Sequence, residues 1–142
     1  MIKKLWVLLL SVCLGLGVLV AQDIDTLKQQ ARKGDAEAQK NLGNMYANGR
    51  GVPRDYAEAV KWYRLAADQG HSLAQYNLGV AYNSGQGVPQ DDAQALMWLN
   101  LAYQNDWSDE TANAIKVVAR RITPQQLAQA QELVHNWKPK KQ

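Results

Sequence analysis

The chain has 142 residues, a formal net charge of +3 and a single cysteine, Cys13. Removal of residues 1–21, which look like a signal peptide, would take away Cys13, Lys3 and Lys4 and lower the net charge to +1. The remaining chain of about 120 residues has the size of one domain. A nearly neutral surface does not favour nucleic acid, and a chain without cysteine has neither disulfides nor thiolate chemistry.

Residues 1–21 have the pattern of a secretory signal peptide. Lys3 and Lys4 precede the apolar run Leu5–Val20, and the small Ala21 suits a cleavage site. The run is shorter than the ~20 residues that a membrane-spanning helix needs. We therefore expect a periplasmic or secreted bacterial protein that meets the membrane only through this segment before cleavage. An uncleaved N-terminal anchor is the alternative.

Residues 25–34 predict a short helix that ends at Gly34. Leu27 lies 36 residues before Tyr63, and the same spacing relates the two halves of the segment that follows. We interpret the short helix as the second half of a truncated repeat, which caps the N-terminal end of a stack of repeats.

The segment Gly34–Asn105 contains one pattern twice, with a shift of 36 residues. The runs Gly49–Pro53 and Gly85–Pro89 differ at one position only. Other identical pairs are Ala38 and Ala74, Gln39 and Gln75, Leu42 and Leu78, Tyr46 and Tyr82, Trp62 and Trp98. A period of this length predicts stacked units, each burying its apolar face on the next.

The first half of each unit predicts an amphipathic helix. Ala38, Leu42 and Tyr46 recur every four residues and therefore share one helix face. Gly43 lies inside this helix, where glycine costs up to about 1 kcal/mol relative to alanine. Its presence there, and that of Gly79 in the second unit, predicts that another helix comes close to the backbone.

The second half of each unit predicts a turn and a second helix. Gly49 ends the first helix, because glycine takes the left-handed C-terminal conformation without steric cost. Asp55 is a suitable N-cap, and Glu58 is placed to return the hydrogen bond of a capping box. Asp91 and Gln94 repeat this arrangement. Each unit is therefore a helix–turn–helix.

The run Ala36–Ala67 resembles a Sel1-like repeat, a relative of the tetratricopeptide repeat, and Ser72–Tyr103 is similar to a second copy. The second copy departs at Ser72, Leu99 and Tyr103, which are substitutions that a packed helix can absorb. The resemblance implies an all-α fold, a right-handed α/α superhelix with capping helices at both ends. It also implies a family that works mostly as scaffolds and adaptors binding other proteins.

Two further helices are predicted after the repeats. Ser108 is a suitable N-cap for a helix to about Arg121, and Thr123, Pro124 and Gln126 begin another with a capping box. Their apolar faces contain Ala112, Ile115, Val118, Ala119 and Ile122 in the first helix, and Leu127, Ala130, Val134 and Trp137 in the second. We interpret them as the C-terminal cap and expect the lysine-rich tail to be frayed.

One repeat domain over residues 22–137 follows from these segments. It comprises the half-repeat 25–34, full repeats at about 36–69 and 72–105, and the capping helices 108–137, followed by the basic tail 138–142.

The sequence contains no pattern typical of catalysis, and we predict no catalytic, metal-binding or cofactor-binding residue and no cofactor. His71 and His135 lack a second ligand at metal-binding spacing. The carboxylate pairs Asp91-Asp92 and Asp109-Glu110 begin helices, where negative charge is favourable. Some cysteine-rich relatives have been linked to β-lactam hydrolysis, but their repeats are joined by disulfides that this chain cannot form.

The resemblance implies that the first helix of each repeat lines the concave side of the superhelix. The side opposite the apolar face, taken at 100° per residue, gives the candidate protein-binding residues. They are Glu37, Lys40 and Asn44, which are polar, and Leu73, Tyr76, Val80 and Asn83, which are largely apolar. The apolar set either packs against the helix after Ser108 or forms a partly exposed contact for a partner, and Tyr76 is the residue that we would mutate to decide.

The leading hypothesis is therefore an exported, monomeric, non-enzymatic module that binds a protein or peptide. An enzyme or other cell-wall-active factor of the envelope is a second possibility, which requires converging carboxylates or a metal. A structural subunit of an envelope complex is a third.

Overall fold

The structure, a computed structural model, describes residues 23–141. The predicted signal peptide lies outside these residues. The described part contains helices and turns and no strand, which confirms the all-α prediction. Helix α1 occupies residues 23–32; it is followed by α2 (Ala36–Asn48), α3 (Tyr56–Asp68), α4 (Ser72–Ser84), α5 (Asp92–Asn105), α6 (Asp109–Ala119) and α7 (Pro124–Asn136). None of these helices is long and apolar enough to cross a membrane.

The ends of the repeat helices follow the local sequence. Gly49 ends α2 with a φ of 65°, and Gly85 ends α4 with a φ of 70°. Asp55 caps α3 by accepting a hydrogen bond from the backbone N–H of Glu58 at 3.0 Å. The carboxylate of Glu58, however, binds Lys61 Nζ at 3.1 Å. The expected return bond of a capping box is thus replaced by an ion pair along the helix.

The two mid-helix glycines lie where another helix packs closely, as predicted. A Cβ on Gly43 would be 2.6 Å from the ring of Tyr63, and a Cβ on Gly79 would be 2.7 Å from Leu99 Cγ. Tyr63 and Leu99 are 36 residues apart and are both buried. Each first helix therefore receives a large side chain of the second helix directly against its backbone.

The apolar core runs along the stack as three clusters, each shared by neighbouring helices. Leu42 packs with Ala31 between α1 and α2. Leu78 lies in a cluster that joins α3, α4 and α5. Leu99 lies in a third cluster with Val118 of α6 and buried residues of α5 and α7. Because every junction buries apolar side chains, neighbouring units stabilise each other.

A repeated hydrogen-bond arrangement, here called the amide clamp, joins consecutive units. Gln75 is fully buried; its Nε2 donates to the Ala67 carbonyl at 3.2 Å, and its Oε1 accepts from Asn105 Nδ2 at 2.9 Å. Gln39, which is also buried, donates to the carbonyl eight residues earlier at 3.0 Å and accepts from Gln69 at 2.9 Å. The repeated glutamine is therefore a structural residue, a role that its spacing in the sequence does not predict.

The C-terminal cap departs from the prediction in three places. Helix α6 ends at Ala119, which is exposed, and Val118 is the fully buried residue of its predicted apolar face. Leu127, predicted on the apolar face of the last helix, is exposed. The tail is not frayed at Lys140, because its N–H donates to the Asp68 carbonyl at 2.7 Å and its Nζ lies 3.0 Å from the Asp68 carboxylate. The capping box of Thr123 and Gln126 is confirmed. The bonds between Lys140 and Asp68 thus hold the C-terminal segment against α3 of the first full repeat.

Candidate protein-binding surface

The candidate residues belong to the outward sides of α2 and α4, the first helices of the two repeats. Together with the outward side of α6, which follows them in the stack, they form what we call the first-helix face. The seven candidate residues fall into four groups. They are the ion-paired Glu37 and Lys40; Asn44, which bonds to α3 and α4; Tyr76, Val80 and Asn83, which contact the C-terminal cap; and the exposed Leu73.

Glu37 and Lys40 belong to a network of charges within the protein. The Glu37 carboxylate accepts a hydrogen bond from Lys40 Nζ at 2.6 Å and lies 2.8 Å from His71 Nε2. The hydrogen bond from Lys40, and then that from His71, lowers the pKa of Glu37 to about 2. The Lys40 side chain is only 11% exposed. The charges of Glu37 and Lys40 are therefore paired within the protein.

Asn44 lies at a contact of three helices. Its Oδ1 accepts a hydrogen bond from the Tyr63 hydroxyl at 2.7 Å and another from Asn77 Nδ2 at 3.3 Å. Burial raises the pKa of Tyr63 to about 12, so the phenol remains a donor in the physiological range. Asn44 consequently links α2 to α3 and α4.

Tyr76 and Val80 are partly buried against the cluster that contains Leu99 and Val118. The Tyr76 hydroxyl donates to Glu110 Oε1 on α6 at 3.0 Å. Burial, and next the hydrogen bond to Glu110, raises the pKa of Tyr76. These contacts favour the packing interpretation for both residues. The effect of Tyr76 on partner binding stays a prediction.

Asn83 binds the C-terminal cap. Its side-chain oxygen accepts from Arg121 Nη2 at 2.6 Å, and its backbone carbonyl accepts from the same nitrogen at 3.1 Å. Arg121 Nε also donates to the buried Asp92 carboxylate at 2.8 Å. Asp92 is the first residue of α5, where a negative charge is favourable, so its place in the sequence does not reveal the bond to Arg121.

Leu73 is the apolar candidate residue that remains exposed, with 53% of its surface accessible; Glu37 is exposed too, but it is ion-paired. Two large apolar side chains after α5 are also exposed: Trp107 in the α5–α6 turn at 63%, and Val117 on α6 at 45%. Trp107 is held in place, because its Nε1 donates to the Tyr103 hydroxyl and the two rings make an edge-to-face contact at 6.3 Å. An aromatic side chain that is both exposed and positioned is typical of an interaction surface.

A cavity of about 110 Å³, here called the α4–α6 cavity, opens between the first turns of α4 and α6. Its lining contains the apolar residues Leu73, Tyr76 and Ala102, the acidic residues Asp106 and Glu110, and the hydroxyl residues Ser72, Ser108 and Thr111. Glu110 and Val117 are seven residues apart and thus lie on the same side of α6. The exposed Leu73 is therefore part of the cavity wall, whereas Val117 lies about 10 Å farther along α6.

The described residues contain no group of three or more His, Cys, Asp or Glu side chains that could hold a metal ion.

A larger cavity of about 290 Å³ lies at the N-terminal end of the stack, with Ile24, Leu27 and Met45 in its wall. Its wall is mainly apolar. The arrangement of residues 23–141 is thus suited to binding by shape, apolar contact and charge.

Comparison with known proteins identifies the repeat. Residues 36–71 and 72–107 each match the family model of the Sel1 repeat. No curated protein sequence matches the chain. Among solved structures, a protective antigen of uropathogenic Escherichia coli that displays an SLR fold is 37% identical, with a TM-score of 0.77 over 80% of this chain. A Sel1 repeat protein from Oxalobacter formigenes is 32% identical, with a TM-score of 0.65 over 69% of this chain.

Both similar structures are longer than this chain, which spans 24% of the first and 40% of the second. The two family matches are adjacent and together cover half of the sequence. They coincide with α2–α3 and α4–α5, the two helix pairs joined by the amide clamp. The chain belongs to the Sel1 repeat family.

Proposed function

We propose that this chain is an exported, non-enzymatic scaffold that binds a protein or peptide through the first-helix face around Leu73. Sel1 repeat proteins are generally scaffolds that bind protein partners. The observation that carries the proposal is the exposure of Leu73, a large apolar residue in the first turn of α4. Of the other candidate residues only Glu37 is exposed, and it is bound to Lys40 and His71, so Leu73 is the apolar residue of the face that is available to a partner.

Export is supported by the signal-like pattern of residues 1–21. One of the similar structures is described as a protective antigen, a property that belongs to that protein and fits an exported one. Export of this chain is tested by N-terminal sequencing of the protein recovered from the envelope of its host. A mature chain that begins near residue 22 supports export, and an intact Met1 argues for a retained segment.

The interaction is tested with two matched leucine substitutions. Leu73→Ser and Leu127→Ser each remove an exposed leucine, the first on the first-helix face and the second on α7. Tagged wild-type and variant chains are used to capture partners from an envelope extract. Leu73→Ser is expected to reduce capture at least about tenfold, whereas Leu127→Ser retains it. Equal capture by both variants would refute the proposed surface.

The solution mass of the captured complex separates the adaptor from its alternatives. A monomer that binds one partner reversibly is the expected result. Co-purification in a fixed ratio would instead identify a structural subunit. Turnover of a cell-wall substrate that is lost when a carboxylate is substituted would identify an enzyme.

A further inference from the structure

We propose that the α4–α6 cavity accepts a lysine or arginine side chain of the partner. This inference rests on the proposed function, since it names the chemistry of the partner at the same face. It is carried by the shape of the cavity, by the charges around it and by the corresponding position in the first repeat.

The cavity fits the end of one side chain. Its volume of about 110 Å³ is below the ~300–1,000 Å³ that is usual for small-molecule sites. Leu73 and the ring of Tyr76 provide an apolar wall for an aliphatic stem, and Asp106 and Glu110 provide oxygens for a positively charged end.

The charges beside the cavity are negative and unpaired. The segment 104–113 contains Asp106, Asp109 and Glu110 and no lysine or arginine, although the whole chain is positively charged. The ion pairs among residues 23–141 use other carboxylates, those of Glu37, Glu58, Asp68 and Asp92. Glu110 accepts one hydrogen bond, from the Tyr76 hydroxyl. A cationic side chain would therefore meet carboxylates that have no competing cation in the described part of the chain.

The first repeat shows how a lysine occupies the corresponding position. Lys40 takes the place that Tyr76 has in the second repeat, and its side chain is largely buried with Nζ bound to Glu37 at 2.6 Å. In the second repeat Tyr76 takes the place of this lysine and Leu73 that of Glu37, so neither member of the ion pair is repeated. The carboxylates beside Tyr76 come instead from Asp106 and Glu110, after the repeat helices, and a lysine or arginine of the partner would supply their cation.

The inference is tested by selecting peptides from a random dodecapeptide display library on protein produced from the full-length chain. Selected peptides are synthesised with a fluorescent label and titrated by anisotropy. We expect them to share a lysine or arginine. Replacement of that residue by norleucine or citrulline, which removes the charge, should weaken binding at least about tenfold.

Two charge-removing variants locate the effect. Asp106→Asn combined with Glu110→Gln should weaken the selected peptides at least about tenfold. Asp109→Asn removes one negative charge next to Glu110, in the first turn of α6, at a position that does not line the cavity, so it should change binding less than about twofold. Melting temperatures close to that of the wild type show that the variants are folded.

The outcomes separate this inference from the proposed function. Selected peptides without a basic residue, or with one that is insensitive to the double substitution, overturn the inference and leave the proposed function in place. Failure to select any peptide overturns both.

Discussion

The amide clamp should contribute substantially to stability, and Gln75→Ala tests this. The substitution removes two hydrogen bonds, from Gln75 Nε2 to the Ala67 carbonyl at 3.2 Å and from Asn105 to Gln75 Oε1 at 2.9 Å. Each is worth about 0.5–1.5 kcal/mol. The substitution also empties a fully buried side-chain volume, and truncations of similar size cost about 2–5 kcal/mol.

The net loss should lie near the lower end of these values, because neither former partner is left without a bond. The Ala67 carbonyl still accepts from the Gly70 N–H at 2.9 Å, and Asn105 still donates to the Gly70 carbonyl at 3.4 Å. We therefore expect a decrease of about 2–4 kcal/mol in the free energy of unfolding. For a domain of this size the melting temperature should fall by roughly 8–16 °C.

The assay is urea and thermal unfolding followed by circular dichroism. Gln104→Ala, which removes an exposed glutamine from α5, is the control and should stay within about 0.5 kcal/mol of the wild type. Gln39→Ala should behave like Gln75→Ala, because the first unit makes the same two bonds. A loss of less than about 1 kcal/mol for Gln75→Ala would refute the reasoning.

Three further predictions concern packing, the tail and pH. Gly79→Ala gains up to ~1 kcal/mol in helix propensity, but the new Cβ would lie 2.7 Å from Leu99 Cγ, so unfolding measurements should show a net loss of about 1–2 kcal/mol. Lys140→Ala should cost less than about 1 kcal/mol, because the exposed ion pair is lost while the backbone bond to Asp68 remains. Glu37 has its pKa lowered from 4.5 to about 2, so any stability that it contributes is present above pH 4.5 and lost as the pH falls towards 2. The small stability difference between wild type and Glu37→Gln, measured by urea unfolding, should therefore disappear over that range.

The sequence predicted the parts of the fold that depend on neighbours within one repeat. Gly49 and Asp55 have the roles that their residue types favour, and the glycine inside each first helix does mark a close contact. These features are local or recur with the 36-residue period, so two copies within one sequence reveal them. The buried Gln75 was visible as an identity, but its hydrogen bonds join different helices and could not be read from spacing.

The candidate surface was predicted less completely, for a physical reason. A helical wheel gives the direction of a side chain and does not show which later segment covers it. Helix α6 covers Tyr76 and Val80, and Arg121 binds Asn83, so residues directed outward from α4 are engaged by the cap. Leu73 stays exposed in the first turn of α4. The contact of Lys140 with Asp68 spans 72 residues, beyond what any local pattern shows.

The most direct test of the account is site-specific photo-crosslinking in the native host. A photoreactive amino acid is placed at Leu73 on the first-helix face, or at Leu65, an exposed leucine on the second helix α3. The account predicts a discrete crosslinked protein or peptide from position 73 and none from position 65. A partner that crosslinks only from position 65, or equally from both positions, would contradict it.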